Sequence, residues 1–371
     1  MKQIILILFL IIGASGFSQV VLNPGIDTSS VEHKEILNFW FEYVKSKPTK
    51  NSVAYLNFWN EKEKENLNNP DLTLHSINTE QSTFSMGYKT VLSILPYQEG
   101  FYQIKTAIGW GDNTNHISLL AITNHYVKRN KHNKYELYSA LSVDENIKVI
   151  ETEQYKIYTL KETLIPIDTL NELNEFVLKL QNDHQIKETK KIKIIYGRDS
   201  KETDRIIGFD FNLMSSTNNP SSGISDQTNE LIIINGIAVI FHETTHIYLN
   251  SLYSESPIIE GLATFYGGSM GISLKENIKF LNDYIQKNNE INLYEKLIES
   301  YFYIDNKHNP IYTLQGLLVQ LAYDKGGVSE MRKLLSFNNL DEIFTTFFKI
   351  NNKNNFDKFL KLELKRKAAE F

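Results

Sequence analysis

The spacing of the hydrophobic residues changes along the chain, and this change sets the fold class. Residues 83–142 alternate between apolar and polar side chains, as a strand with one buried face does. Polar turns at Gln98 to Gly100 and at Asn130 to Asn133, and a Gly/Asp/Asn loop between them, divide this stretch. We predict an antiparallel meander of about four strands, namely Tyr88–Leu95, Phe101–Ile108, Ile117–Val127 and Tyr135–Val143.

Helical spacing precedes the meander. Ser29, with Glu32 three residues later, is typical of a capping box, and the amphipathic run that follows ends before Pro48. A second helix is predicted to carry Tyr55, Leu56, Phe58 and Trp59 into a charged stretch that stops at Pro70. Two helices before a curved meander resemble the nuclear-transport-factor-2-like (NTF2-like) layout, by element order alone. Residues 19–150 are therefore predicted to form an N-terminal α+β domain, which this resemblance suggests is NTF2-like.

A second pattern begins after a linker predicted at residues 144–153. It reads as strand, helix, strand, a Ser/Asn/Pro/Gly loop, a strongly apolar strand, and then helices almost to the end. The first five of these are Tyr155–Leu160, Thr169–Leu180, Ile192–Tyr196, Ser215–Gly223 and Leu231–Ile234. This order predicts a second α+β domain, residues 151–371, in which a small sheet precedes a helical bundle.

The first 18 residues have the pattern of a secretory signal peptide. Lys2 gives a basic start, Ile4–Ile12 is almost entirely apolar, and small residues follow. This apolar run is shorter than the roughly 20 residues that a membrane-spanning helix needs, and no second run of that length follows. We predict an exported protein, periplasmic or extracellular, with no transmembrane segment after cleavage of the signal.

Charge and cysteine content exclude some functions. The chain has 39 Lys and Arg residues against 44 Asp and Glu, and no basic cluster interleaved with aromatic residues, which argues against nucleic-acid binding. It has no cysteine, so disulfides and thiolate ligands are excluded. Any transition metal must therefore be held by histidines and carboxylates.

The segment His242-Glu243-Thr244-Thr245-His246 carries the most chemical information. On a helix, a spacing of four residues places both imidazoles on one face, where they can reach one metal ion. Glu243 would flank this ion and could accept a proton from water. The alternative is an ordinary amphipathic helix with two surface histidines. The two histidines are predicted metal ligands and Glu243 the general base.

The residues after this motif separate two metallopeptidase classes. The metzincin extension needs Gly three residues and His six residues after the second histidine, but Leu249 and Leu252 stand there. Fourteen residues after His246, the first turn of a new predicted helix presents Glu260.

The HETTH motif, the preceding NELIIIN strand and the following PIIEGLATFYGG segment resemble gluzincin metallopeptidases of the peptidase-MA-like set. This resemblance covers residues 150–371. It implies Zn²⁺ held by His242, His246 and Glu260, Glu243 as general base, and a peptide or protein as substrate. Ile258 and Ile259 stand where the family often has an aromatic residue. Glu255 is the next carboxylate if Glu260 is not a ligand.

A further group should stabilise the oxyanion of the tetrahedral intermediate. In related aminopeptidases this is a tyrosine before a glycine and an apolar helix, and Tyr312 resembles it, although Gly316 lies one residue farther away than expected. His308 is the second choice. Tyr301 and Tyr303 are weaker candidates.

The resemblance also suggests how a substrate binds. Leu231–Ile234 resembles the family's strand at the edge of the cleft, along which an extended peptide could pair. No Gly-x-Met-Glu-Asn-like strand precedes His242, which argues against aminopeptidase action. Two rival functions stay open: a binding protein with a catalytically idle metal site, and a zinc hydrolase of a non-peptide substrate.

The other histidines are not predicted to bind metal. His116 and His125 are nine residues apart on or near meander strands, which favours surface or cross-strand packing over a second metal site. Four isolated histidines among polar residues are predicted to be exposed: His33, His75, His132 and His184.

Overall fold

A computed structural model gives the fold of the chain. It describes residues 20–49, 52–76, 87–111, 117–215, 222–299 and 302–371. The predicted signal peptide, His116 and Tyr301 lie outside these residues. Among the described residues, no helix combines the length and the apolar character that crossing a membrane requires.

The protein has a mixed α+β fold with two sheets. The strands are β1 (Val20–Leu22), β2 (Tyr88–Pro96), β3 (Tyr102–Gly111), β4 (Ile117–Arg129), β5 (Tyr135–Tyr138), β6 (Ile147–Glu151), β7 (Tyr155–Leu160), β8 (Ile192–Gly197), β9 (Phe209–Asn212), β10 (Ser222–Asp226) and β11 (Leu231–Asn235). The helices are α1 (Val31–Lys45), α2 (Glu61–Asn66), α3 (Ala140–Val143), α4 (Ile167–His184), α5 (Ser200–Ile207), α6 (Ile240–Leu249), α7 (Ile259–Gly267), α8 (Leu274–Lys287), α9 (Leu293–Ile298), α10 (Pro310–Leu335), α11 (Leu340–Glu342) and α12 (Phe356–Glu370).

The chain divides into two compact units. The first contains the residues up to Glu145 and the segment 204–217, and the second contains residues 146–203 and 218–371. The sequence suggested one boundary near residue 150 and did not reveal that the chain returns to the first unit. The return occurs because β9 pairs antiparallel with Ala121–Thr123 of β4. Strand β6 lies inside the predicted linker and belongs to the second sheet.

The first unit contains the meander. Its sheet has the order β1-β2-β3-β4-β5, with β1 parallel to β2 and the other neighbours antiparallel. Strand β5 ends at Tyr138, because α3 replaces the last part of the predicted strand. The first predicted helix is α1, capped by Ser30 rather than Ser29. The second is divided into a 3₁₀ turn, Ala54–Phe58, and α2.

A carboxylate is buried in the core of the first unit. Asp71 accepts hydrogen bonds from the Tyr43 hydroxyl, from the backbone and hydroxyl of Thr73, and from Nε2 of His125 at 3.2 Å. The His125 ring also packs on Trp40, with 4.7 Å between ring centroids. His125 is therefore a core residue, in line with predicted packing. His75 is fully buried, so the prediction that it is exposed was wrong.

The second sheet has the order β10-β11-β8-β7-β6. The three central strands are parallel, and both edge strands run antiparallel to their neighbours. Strand β11 contains Leu231–Ile234, along which a peptide was expected to pair. It lies between β10 and β8, so it offers no free edge and this expectation was wrong. The edge is β10, which comprises Ser222–Asp226 and begins inside the predicted Ser/Asn/Pro/Gly loop. Strand β10 is short and polar and pairs on one side, so its sequence lacks the hydrophobic alternation from which a strand is predicted.

Helices cover most of the rest of the second unit. The buried apolar residues of the sheet and of α4, α6, α7, α8 and α10 belong to one hydrophobic core. Helix α10 changes direction at Gly326 and Gly327, where the φ of Gly327 is 65°. This core holds the two helices of the HETTH and Glu-Gly segments in place.

His184 joins the end of α4 to this core. The Tyr253 hydroxyl donates to His184 Nδ1 at 2.7 Å, Nε2–H donates to the Tyr266 oxygen at 3.0 Å, and the Tyr266 hydroxyl donates to Asp183 at 2.8 Å. These bonds fit the neutral imidazole, in which one ring nitrogen accepts and the other donates. His184 is 7% exposed, so the prediction of an exposed histidine was wrong. The tyrosines that cover it are distant in sequence, and its neighbours along the chain are polar.

Burial lowers the pKa of His184 to about 4, against a smaller opposing effect of Asp183. The unfolded chain then binds a proton more readily than the folded chain, so stability falls as the pH decreases from about 6.5 to about 4.

We expect the titration of His184 to lower the free energy of unfolding by on the order of 3 kcal/mol as the pH falls through this interval. The free energy of unfolding of His184→Gln should fall less over the same interval, by about this amount. Urea unfolding of both proteins between pH 7 and pH 4, in a chelating buffer, measures it. Identical pH dependence would contradict the assigned neutral state.

Candidate metal centre

The chain enters the HETTH helix through a tight turn. Strand β11 ends at Asn235, and Gly236 has a φ of 81°, a conformation that favours glycine. One 3₁₀ turn, Ile237–Val239, then leads into α6. The helix is almost entirely buried, with His242 and His246 8% and 5% exposed. Packing on the sheet therefore fixes the backbone that carries both imidazoles.

Each imidazole is oriented by a hydrogen bond on Nδ1. His242 Nδ1–H donates to the carbonyl of Gly268 at 2.7 Å, and His246 Nδ1–H donates to Oδ1 of Asn250 at 2.9 Å. With both Nδ1 atoms acting as donors, both Nε2 atoms present lone pairs. These two atoms lie 3.1 Å apart. Two lone pairs at this separation repel each other unless they share a cation.

Glu260 completes the cluster from α7. Its Oε2 lies 3.5 Å from Nε2 of His242 and 3.5 Å from Nε2 of His246. Ligands about 2.0–2.1 Å from a tetrahedral metal are about 3.3 Å from one another, so these separations fit one small divalent cation. Among the described residues, these three form the one group of suitable donors that converges. Glu255 is exposed and does not belong to it.

The pKa values of the cluster show that it favours positive charge. Burial alone lowers the pKa of His246, but Glu260 and then Glu243 raise it, and it stands at about 9. Burial alone raises the pKa of Glu260, but the two neighbouring histidines hold it well below its usual range. Both shifts favour a positive charge among the three side chains, and a bound metal ion would supply it.

Glu243 lies beside the cluster and is not one of its three members. The side chain is 7% exposed, and burial raises its pKa above the usual range despite the nearby histidines. Strand β10 covers it: a Cβ at Gly223 would lie 2.5–2.8 Å from the Glu243 side chain. A larger residue at position 223 would displace the Glu243 carboxylate. This contact was not predicted, because β10 was taken for part of a loop.

The structure places Tyr312 at the cluster. Its ring stacks near the His242 ring, with 6.3 Å between centroids and 22° between planes. Burial, followed by the charge of Glu260, raises the pKa of its hydroxyl, so this hydroxyl stays protonated. Tyr312 and Gly316 are four residues apart on α10, and this spacing keeps both on one helix face.

His308 lies elsewhere. It stacks on Phe280 at 3.6 Å between ring centroids, and its backbone N–H and Nδ1 both lie 2.9 Å from Asp305. The loop before α10 therefore holds this ring in a local contact and not at the cluster. Tyr303, the weaker candidate among the described residues, raises the pKa of Tyr312 through its charge.

No family model matches the chain, and neither a curated protein nor a solved structure matches it. The chemistry of the site is therefore inferred from its own donor atoms and their surroundings. Three residues of these surroundings were not predicted: Gly223, Asn250 and Gly268. The spacing of four from His246 to Asn250 is the one signal in the sequence that could have indicated such a partner.

Asn250→Ala removes the acceptor that fixes the His246 ring. We expect the zinc affinity to fall about 10–100-fold, because partners of this kind orient the ligand and raise its basicity. Asn250→Asp keeps an acceptor and should bind zinc at least as tightly as Asn250→Ala. Competition titration against a chromogenic chelator measures both. Equal affinity of Asn250→Ala and the unaltered protein would contradict this role.

Proposed function

We propose that the protein is a zinc-dependent peptidase of the gluzincin type, exported by its N-terminal signal. The observation that carries this proposal is the convergence of His242, His246 and Glu260, with the buried Glu243 on the same helix as both histidines. A purely structural metal site has no need for a fourth, unligated carboxylate beside it. The second unit would then be the gluzincin-like domain.

Zinc is the cofactor that the donor set favours. Two imidazole nitrogens and one carboxylate oxygen suit Zn²⁺, and three protein ligands leave a position open for water or substrate, as in catalytic sites. When bound there, zinc lowers the pKa of water and polarises a carbonyl group. His242 and His246 supply neutral ligands, because their Nδ1 protons are committed to Gly268 and Asn250.

Glu243 is proposed to move the proton. Its carboxylate accepts a proton from the attacking water and passes it to the amine nitrogen as the carbon–nitrogen bond breaks. The raised pKa of Glu243 suits this role, because the group must release the proton again. Gly223 supports it by leaving room for the carboxylate.

Tyr312 is proposed to stabilise the oxyanion. Its hydroxyl stays protonated near neutral pH and can donate a hydrogen bond to the carbonyl oxygen as negative charge develops there. Its ring lies against His242. The charge of Glu260 acts on this hydroxyl, so the hydroxyl lies near the cluster before substrate arrives, and such pre-organised donors are the most effective ones.

A peptide is the substrate that the edge of the sheet favours. Among the described residues, strand β10 pairs with β11 alone, and it passes directly over Glu243. An extended peptide can pair with the outer side of this strand and be held with a backbone carbonyl near the general base.

For the first unit we propose an NTF2-like arrangement, of unassigned role. Helix α1 precedes the antiparallel strands β2 to β5, and its buried Ile36 and Trp40 share one core with Ile104 of β3 and Val127 of β4.

Glu243→Gln tests catalysis separately from metal binding. We expect the zinc affinity to change little and the cleavage of a mixed library of unstructured peptides to fall about 10²–10⁴-fold, because proton transfer is lost and the ligands remain. Glu255→Gln, an exposed change nearby, is the matched control and should keep full activity. Loss of zinc from Glu243→Gln would show that this residue is a ligand. No cleavage by the unaltered zinc-loaded protein would sink the proposed function.

Tyr312→Phe removes one hydroxyl and keeps the ring. We expect kcat to fall about 10²-fold or more, with KM and the melting temperature nearly unchanged, because the hydroxyl acts only on the transition state. Tyr323→Phe, on the same helix, is the control, since its ring lies against Phe265 away from the cluster. Unchanged kcat in Tyr312→Phe would remove this residue from the mechanism.

A further inference from the structure

The helix that carries Glu260 begins without a side-chain cap of its own. Helix α7 starts after Ile258, whose side chain has no hydrogen-bond acceptor. The first N–H groups of a helix have no partner within it, and a Ser, Thr, Asp or Asn at the N-cap usually accepts from the second or third of them. In α7 the third of these N–H groups belongs to Gly261, one residue after the metal ligand.

Gln315 supplies the missing acceptor from another helix. The backbone N–H of Gly261 donates to Oε1 of Gln315 at 3.1 Å, and Gln315 is 8% exposed. The two backbones meet at this point: a Cβ at Gly261 would lie 2.3–2.6 Å from backbone and Cβ atoms of Gln315. The start of α7 therefore lies directly on α10.

The same face of α10 also carries Tyr312. Gln315 is three residues and Gly316 four residues after Tyr312, so the three share one side of the helix. Gly316 lies against Thr264 of α7 and Leu274 of α8, where a Cβ would come within 2.8–3.3 Å of their side chains. This face thus contacts α7 at its first turn and again in its middle.

We propose that Gln315 is a positioning residue. It lies on α10, the helix of Tyr312, and its side chain caps the N-terminus of α7, the helix of Glu260. This inference rests on the proposed function, since it treats Glu260 as a ligand. The hydrogen bond fixes the backbone of Gly261 and with it the direction of the Glu260 side chain. A buried amide oxygen can do this without adding a negative charge beside Glu260 and Glu243.

Gln315→Met tests this inference, because it keeps the length of the side chain and removes the acceptor. We expect the zinc affinity, measured against a chelator, to fall about tenfold or more. The absorption spectrum of the Co²⁺-loaded protein should change as well, since a loosened carboxylate alters the ligand field. Gln320→Met, on the same helix but bonded to Asp324, is the control and should leave both readouts unchanged.

Gln315→Glu separates the hydrogen bond from packing. Its carboxylate still accepts from Gly261, so a Co²⁺ absorption spectrum like that of the unaltered protein, together with retained zinc affinity, supports the inference. Equal loss of affinity in Gln315→Met and Gln315→Glu would overturn it, as would no loss in Gln315→Met. If Gln315→Met does not fold, Gln315→Asn, one methylene too short to reach Gly261, takes its place with the same expectation. Because these readouts need no peptide cleavage, a protein that binds zinc but cleaves nothing would sink the proposed function and still test Gln315.

Discussion

The close approach of two imidazole nitrogens is the constraint on which the site depends. The Nε2 atoms of His242 and His246 are 3.1 Å apart, and each lies 3.5 Å from one oxygen of Glu260. Burial makes unshared lone pairs and charges costly, so a cation among the three groups would stabilise this arrangement. The histidines are fixed by Gly268 and Asn250 on their other nitrogens, and the carboxylate by the first turn of α7.

Glycines allow the helices to approach closely enough for this. A Cβ at Gly267 would lie 2.2 Å from the backbone nitrogen of His242, and one at Gly261 would lie 2.3 Å from the backbone of Gln315. Helix α7 is thus pressed against the helix of the histidines at one end and against α10 at the other. His184 fixes Tyr266, next to Gly267, to the end of α4. The candidate ligands therefore lie on packed helices, which hold such a site more accurately than loops do.

The features that could be predicted from the sequence are those that depend on the spacing of neighbouring residues. The four-residue interval of the HETTH motif placed both histidines on one helix face, and the alternation of residues 83–142 gave a meander whose strands mostly keep their predicted limits. Contacts between distant segments could not be predicted in this way. The edge strand β10 has a polar sequence. Strand β9 pairs with residues of β4 that β5 does not reach. His75 and His184 are buried by residues that are distant in the sequence. The bond from Gly261 to Gln315 spans 54 residues and leaves no periodic signal.

Zinc X-ray absorption on the purified protein tests the central claim most directly. The account predicts one zinc ion per chain, bound at about 2.0–2.2 Å by nitrogen and oxygen atoms, with the multiple-scattering pattern of two imidazoles. It also predicts that replacing His242 and His246 together by alanine abolishes stoichiometric binding. A shell made only of oxygen atoms, or full zinc content in the double variant, would contradict a metal centre at His242, His246 and Glu260.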